Sequence, residues 1–180
     1  MPLPAEKEGQ MSIAAILGEL EAENATTRRV LERVPSDKLT WKPHPKSMSL
    51  GELALHVAMT PGYIAENWAC QETVDFGKGG GKPPAPTSTQ DILAAHDDSV
   101  KKAKSALERI GDEGLRQQWT ATMNGATVFN MPKGALVRSI VLNHCYHHRG
   151  QLSVYLRLLD VPVPSIYGPS ADESPFQAQA

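Results

Sequence analysis

The sequence predicts an all-α fold: a four-helix bundle of up-down type with long crossover and loop connections. Three observations predict it. Four windows, each of about 20 to 27 residues, carry apolar residues at helical spacing. Clusters of proline and glycine separate the windows. No set of segments alternates apolar and polar residues as half-buried strands do, so no sheet is expected.

The first helix is expected from Ser12, with Ile13, Ile16, Leu17, Leu20, Thr27, Leu31 and Val34 along one face, and Pro35 stops it. Pro35, Pro43 and Pro45 then forbid a helix interior or a central strand, so this stretch is a long connection. Leu39 and Trp41 are expected to pin it to the bundle. Ser49 followed by Glu52 has the spacing of a capping box and opens the second helix, which carries Leu50, Leu53, Ala54, Val57, Ile64 and Trp68. Pro61 is expected to kink that helix without ending it.

A flexible loop is expected from Phe76 to Pro84. Its Gly79-Gly80-Gly81-Lys82 run lacks the spacing and the preceding strand of a phosphate-binding loop. Ser88 or Thr89 caps the third helix, with Asp91 in its first turn. Ile92, Leu93, Val100, Ala103, Ala106, Leu107 and Ile110 form its face, and Gly111 is expected to end it. Asp112 to Pro132 shows no clear period; Trp119, Val128 and Phe129 are expected in short extended pieces or a lid. The fourth helix runs from Lys133 to about Leu159. The expected organisation is a flexible arm over residues 1–10, one helical domain over 11–160, and an irregular tail over 161–180.

Composition narrows the function classes. The chain has 180 residues, 41% hydrophobic and 21% charged, with a formal net charge of −2. That suits one soluble globular domain. Lysine and arginine form no basic stripe, so a nucleic-acid partner is not expected. The two cysteines, Cys70 and Cys145, have no C-x-x-C spacing, and the protein is expected to be cytoplasmic. Neither a secretory leader nor a membrane span is expected.

The chemistry concentrates in histidines. His144 and His148 are four residues apart, so on a helix both imidazoles reach one point. His56 lies among apolar neighbours in the second helix, where a neutral metal-binding imidazole avoids the cost of a buried unpaired one. Imidazole ligands suit zinc, nickel, iron or copper. Read alone, the pair is equally a solvated surface pair, and His56 a hydrogen-bonded core residue. His147 shares part of the face and is read as a non-ligand. His96 is read as a satisfied histidine at the core edge, and His44 as a loop residue.

The set Leu53-Ala54-Leu55-His56, the block His144-x-x-His147-His148-Arg149-Gly150-Gln151 and the turn Pro35-x-x-Lys38-Leu39-x-Trp41-x-Pro43 together resemble the DinB-like family of four-helix-bundle proteins. The resemblance covers residues 11 to 160. It implies a bundle, often dimeric, with a three-histidine metal site, whose ligands match His56, His144 and His148, while His147 matches a non-ligand position. It also implies thiol chemistry: characterised relatives include transferases joining low-molecular-weight thiols such as bacillithiol to electrophiles, and a mycothiol-dependent isomerase.

The functional expectation is therefore a divalent transition metal (zinc, nickel or iron) that activates a small thiol or water in a transferase or hydrolase. The alternative is a non-enzymatic metal- or ligand-binding stress protein. The expected partners are a small-molecule substrate and a second copy of the chain. No catalytic residue is assigned: Glu52 is read as a helix cap, Arg149 as a surface ion-pairing residue, and Tyr146 as a residue that need not face the metal.

Overall fold

A computed structural model describes residues 11–79 and 81–176. The expected arm over residues 1–10 lies outside the described residues, as do Gly80 in the expected loop and residues 177–180 of the expected tail. Helix α1 spans Ile13–Leu31, α2 Leu50–Ile64, α3 Thr89–Arg116, α4 Lys133–Leu136 and α5 His144–Leu158. Strands β1 (Thr73–Asp75), β2 (Gln118–Met123) and β3 (Ala126–Pro132) accompany them.

Four helical rods form the body, because α4 runs through a π-helical segment, Val137–Asn143, directly into α5. Helices α3 and α5 each pack against both α1 and α2. The predicted starts hold. Ser12 caps α1. Ser49 and Glu52 close a capping box on α2, and Ser88 and Asp91 close another on α3.

The fold is mostly helical, but it is not all-α. Strand β1 pairs parallel to β2, and β2 pairs antiparallel to β3. The β2–β3 hairpin turns at Asn124 and Gly125, both at positive φ (51° and 85°). That is the turn which matches the twist of paired strands. A bulge near Val128 shifts the register between Ala121/Phe129 and Thr122/Thr127. Trp119 on β2 is buried and fastens the sheet to the helices, whereas Val128 and Phe129 on β3 are exposed.

The third helix also runs past its predicted stop. Gly111 takes a left-handed φ of 62°, which breaks the helical path, and a further helical stretch continues to Arg116. Residues 162–176 contain no helix or strand. They are nevertheless tied down: Val163 donates its N–H to Asp172 at 2.8 Å, Asp172 pairs with Arg157, and Glu173 pairs with Arg29.

The core divides into two clusters along the bundle. One gathers Ile16, Leu20, Leu107, Trp119, Leu136 and Leu142; the other gathers Leu31, Leu53, Val57, Ile92, Leu152 and Leu156. Tyr146 packs against both. Among the described residues, no helix is long and apolar enough to cross a membrane.

Candidate metal centre

His56 is positioned by an unusual turn of α2. Pro61 lies inside the helix and has no N–H for the carbonyl of Val57. The Cys145 thiol fills that place, donating to Val57 O at 3.8 Å and tying α5 to α2 one residue from each of two histidines. The Thr60 hydroxyl donates to His56 O at 2.6 Å. Ser99 of α3 accepts from Gly62 N–H at 2.8 Å and donates to Met59 O at 3.1 Å. A Cβ at Gly62 would lie 2.5 Å from Ser99 O, so only glycine permits this approach of α2 and α3. The helix stays continuous through Pro61 because its neighbours satisfy the polar groups left over.

His144 opens α5 directly after the π-helical segment. A wider turn of this kind rotates the following residues relative to an unbroken α-helix, and such insertions are frequent at functional sites. His148 follows one turn later. The Nε2 atoms of His144 and His148 are 2.7 Å apart. The His56 ring lies 4.5 Å from that of His148 and 5.2 Å from that of His144, centroid to centroid. One ring nitrogen of each histidine falls within 4.8 Å of the others, and all three side chains are half-buried.

Polar accounting favours a cation at this point. His148 Nδ1 lies 2.7 Å from Gln151 Oε1, an acceptor, so it carries the proton and Nε2 keeps a lone pair. That lone pair faces the Nε2 of His144. His56 Nε2 is buried with no hydrogen-bond partner among the described residues. Ligand nitrogens around a tetrahedral metal with bonds of about 2.0–2.1 Å are roughly 3.3 Å apart. The triad's spacings, 2.7 Å for one pair and within 4.8 Å for all, bracket that value. The three imidazoles can hold a metal ion.

Electrostatics keep them in the neutral, metal-binding form. Burial, then the neighbouring His148 and His144, push the His56 pKa down to about 4. Burial lowers His144 and His148 as well, with further lowering from nearby histidines.

His147 stands outside the triad. It is exposed, with its ring 4.9 Å from that of His148. His44 is exposed and accepts from Lys46 N–H. His96 departs from expectation: it is buried, yet neither ring nitrogen has a hydrogen bond among the described residues, and the carboxylate of Asp97 is 3.8 Å from Nδ1. Burial lowers its pKa.

Arg149 also departs from its reading as a surface residue. It is 1% exposed and pairs with Glu23 at 2.6 Å. It donates further to Thr27 Oγ1 at 3.0 Å and to the Tyr167 hydroxyl at 2.6 Å, between the rings of Tyr146 and Tyr167. Tyr146 turns toward α1, where its hydroxyl donates to Glu19 at 3.0 Å. Glu52 caps α2 as expected. It also pairs with Lys82 and Lys42, and the Lys82 contact holds its pKa at about 2.

A cavity of about 980 Å³ opens beside the triad. His56 and His144 line it, together with Lys42, Lys46, Lys82 and Glu52.

A family model described as "DinB family" matches residues 8–179. The chain belongs to the DinB family. The match takes in the tail beyond residue 160, which the motifs alone did not reach. Among its relatives, an uncharacterized protein, YrdA, of Bacillus subtilis (strain 168) is 31% identical over 157 residues, 85% of this chain and 86% of the relative. Two solved DinB-like structures share the fold. One, from Bacillus cereus ATCC 10987, has a TM-score of 0.67 at 22% identity, covering 88% of this chain and 100% of that one. The other, YjoA of Bacillus subtilis, has a TM-score of 0.65 at 20% identity, covering 81% and 92%.

Proposed function

We propose that this DinB-family chain is a metal-dependent enzyme that joins a small thiol to an electrophilic carbon. The observation that carries the reading is the convergence of His56, His144 and His148 on one point at the wall of a cavity of about 980 Å³. Three neutral ligands leave a divalent metal its full charge and an open position, as in catalytic sites rather than closed structural ones. Such an ion supplies Lewis acidity that lowers the pKa of an entering thiol or water.

The chain's own residues favour a nucleophile brought in from outside. Cys145 is buried, and burial pushes its thiol up to about 11, so it is inert at neutral pH. Glu52 is held ionised by Lys82 and cannot donate a proton. His56 and His144 reach the cavity wall, while Gln151 orients His148. Lys42, Lys46 and Lys82 place positive charge along the cavity, which suits a thiol bearing carboxylates. The thiol gives its proton to solvent, its sulfur forms the bond to carbon, and the leaving group departs with the electrons of the bond it breaks. The resemblance to thiol-dependent relatives supports thiol over water as nucleophile.

The test is a turnover screen of several low-molecular-weight thiols against several electrophiles, using metal-loaded protein with His148→Ala as control. Metal-dependent thioether formation that is lost in His148→Ala is the expected result. No metal-dependent turnover with any pair would favour a non-enzymatic metal-binding protein.

A further inference from the structure

His148 is oriented by a partner on its own helix, since Gln151 Oε1 accepts from Nδ1 and leaves Nε2 bare. His56 has a counterpart on α2. Thr60 follows it by four residues, so the two side chains lie one above the other on the helix. The Thr60 hydroxyl oxygen is 3.4 Å from His56 Nδ1 and 2.6 Å from His56 O.

The shorter contact decides the roles. A carbonyl oxygen only accepts, so it takes the single hydroxyl proton, the back-bond that threonine makes readily within a helix. The hydroxyl oxygen then has only lone pairs to offer Nδ1, and attraction requires the ring proton to sit on Nδ1. Water competes little, because Thr60 is 6% exposed. With the proton there, the lone pair falls on Nε2, the His56 nitrogen that is buried with no hydrogen-bond partner among the described residues. His144 differs from both neighbours: its Nδ1 is buried with no partner among the described residues, and its Nε2 faces that of His148.

We propose that Thr60 is a positioning residue of the metal centre: through its hydroxyl it holds His56 as the Nδ1–H tautomer, with Nε2 free to bind. The 3.4 Å contact is longer than the usual N–H···O bond of about 2.9–3.0 Å, so its bias is weaker than the one Gln151 exerts on His148 at 2.7 Å. The effect on metal binding rests on the metal-centre reading proposed above; the tautomer does not.

The experiment labels the histidine rings with a nitrogen isotope and records long-range proton–nitrogen NMR correlations of the metal-free protein. The pH is about 8, where an imidazole of ordinary pKa near 6.5 is neutral. Such spectra tell a protonated ring nitrogen from a bare one. In wild type the bare nitrogen is expected to be Nε2 in His56 and His148, and Nδ1 in His144. Thr60→Val nearly keeps the shape and removes the hydroxyl. His56 O retains the backbone N–H of residue 60 as its helical partner, so the fold is preserved. In this variant both tautomers of His56 should appear. Zinc affinity, measured by competition with a chromophoric chelator, should fall by about tenfold, the lower end of the usual effect of losing an orienting partner. Thr60→Ser keeps the hydroxyl and should match wild type in both readouts. A merely structural role would leave the tautomer of His56 unchanged in Thr60→Val. A His56 that carries its proton on Nε2 in wild type, or a tautomer that is the same in Thr60→Val as in wild type, would overturn the proposal. The expected tautomers together with no zinc uptake by wild type would sink the metal centre and bear out the role of Thr60 in setting the tautomer.

Discussion

The Nε2 atoms of His144 and His148 lie 2.7 Å apart, although the Nδ1 proton of His148, held by Gln151, leaves a lone pair on its side of that contact. Two facing lone pairs repel unless a proton or a metal ion lies between them. In the absence of metal, His144 must carry its proton on Nε2 and donate it to His148. A metal ion at this point would take the place of that proton and would also give a partner to His56 Nε2, which is buried with no hydrogen-bond partner among the described residues.

Gln151 fixes the tautomer of His148, so its removal should weaken the metal without touching a ligand. Gln151→Ala is expected to lower metal affinity by about 10–100-fold, the usual effect of losing a partner that orients a ligand. His147→Ala should leave affinity near wild type, because His147 stands outside the triad. Competition with a chromophoric chelator measures both. Equal losses in the two variants would contradict the assignment.

Stability without metal should depend on pH with a definite sign. His56 titrates near 4 in the folded chain, and His144, His148 and His96 are also lowered, against an unfolded value of about 6.5. Between those values the unfolded chain binds more protons, so stability falls as pH drops from about 6.5 toward 4. Metal affinity should fall over the same range, since protons compete for the same nitrogens. Urea midpoints from pH 7.5 to 5, with and without chelator, check both statements. A midpoint that does not move, together with an affinity flat across this range, would argue against buried neutral imidazoles.

Arg149→Met removes the partner of Glu23 and leaves that carboxylate beside the core. The expected destabilisation is about 3 kcal/mol, the lower end of the range for breaking a buried pair, because the Glu23 side chain keeps 18% exposure. Arg149→Lys should recover only part of it, since an ammonium cannot serve Glu23, Thr27 and Tyr167 in the fork that arginine makes. Chemical denaturation is the measurement. A loss below about 1 kcal/mol, as surface pairs give, would show that the pair is not structural.

We propose that the protein is a homodimer, as the family resemblance implies. Sedimentation at tens of micromolar should show two chains. A monomer there would refute the dimer and leave the metal centre untouched, because His56, His144 and His148 come from one chain.

Helices were legible because burial writes itself as a period. Leu53, Ala54 and Val57 mark α2, and the capping pairs Ser49/Glu52 and Ser88/Asp91 mark two helix starts. His144 and His148 were legible as a pair because helical spacing alone sets their geometry; His56 entered through its apolar neighbours and the motif. The sheet was not legible as a period: β3 is exposed along nearly its whole length, and the bulge at Val128 interrupts its alternation. One local signal was present, Asn124-Gly125, the preferred dipeptide of a two-residue hairpin turn. The burial of Arg149 depends on Glu23 and Tyr167, which are far from it in sequence and invisible to spacing. Gln151 was visible as a neighbour of His148 but not as its orienting partner.

The most direct test of the three-histidine centre is elemental analysis of protein purified without a histidine tag, alongside His56→Ala, His144→Ala and His148→Ala. The account predicts about one divalent transition-metal ion per wild-type chain and a sharp loss in each variant. A wild type that takes up no such ion even when loaded with zinc, nickel or iron, or a His56→Ala variant that keeps full occupancy, would contradict it.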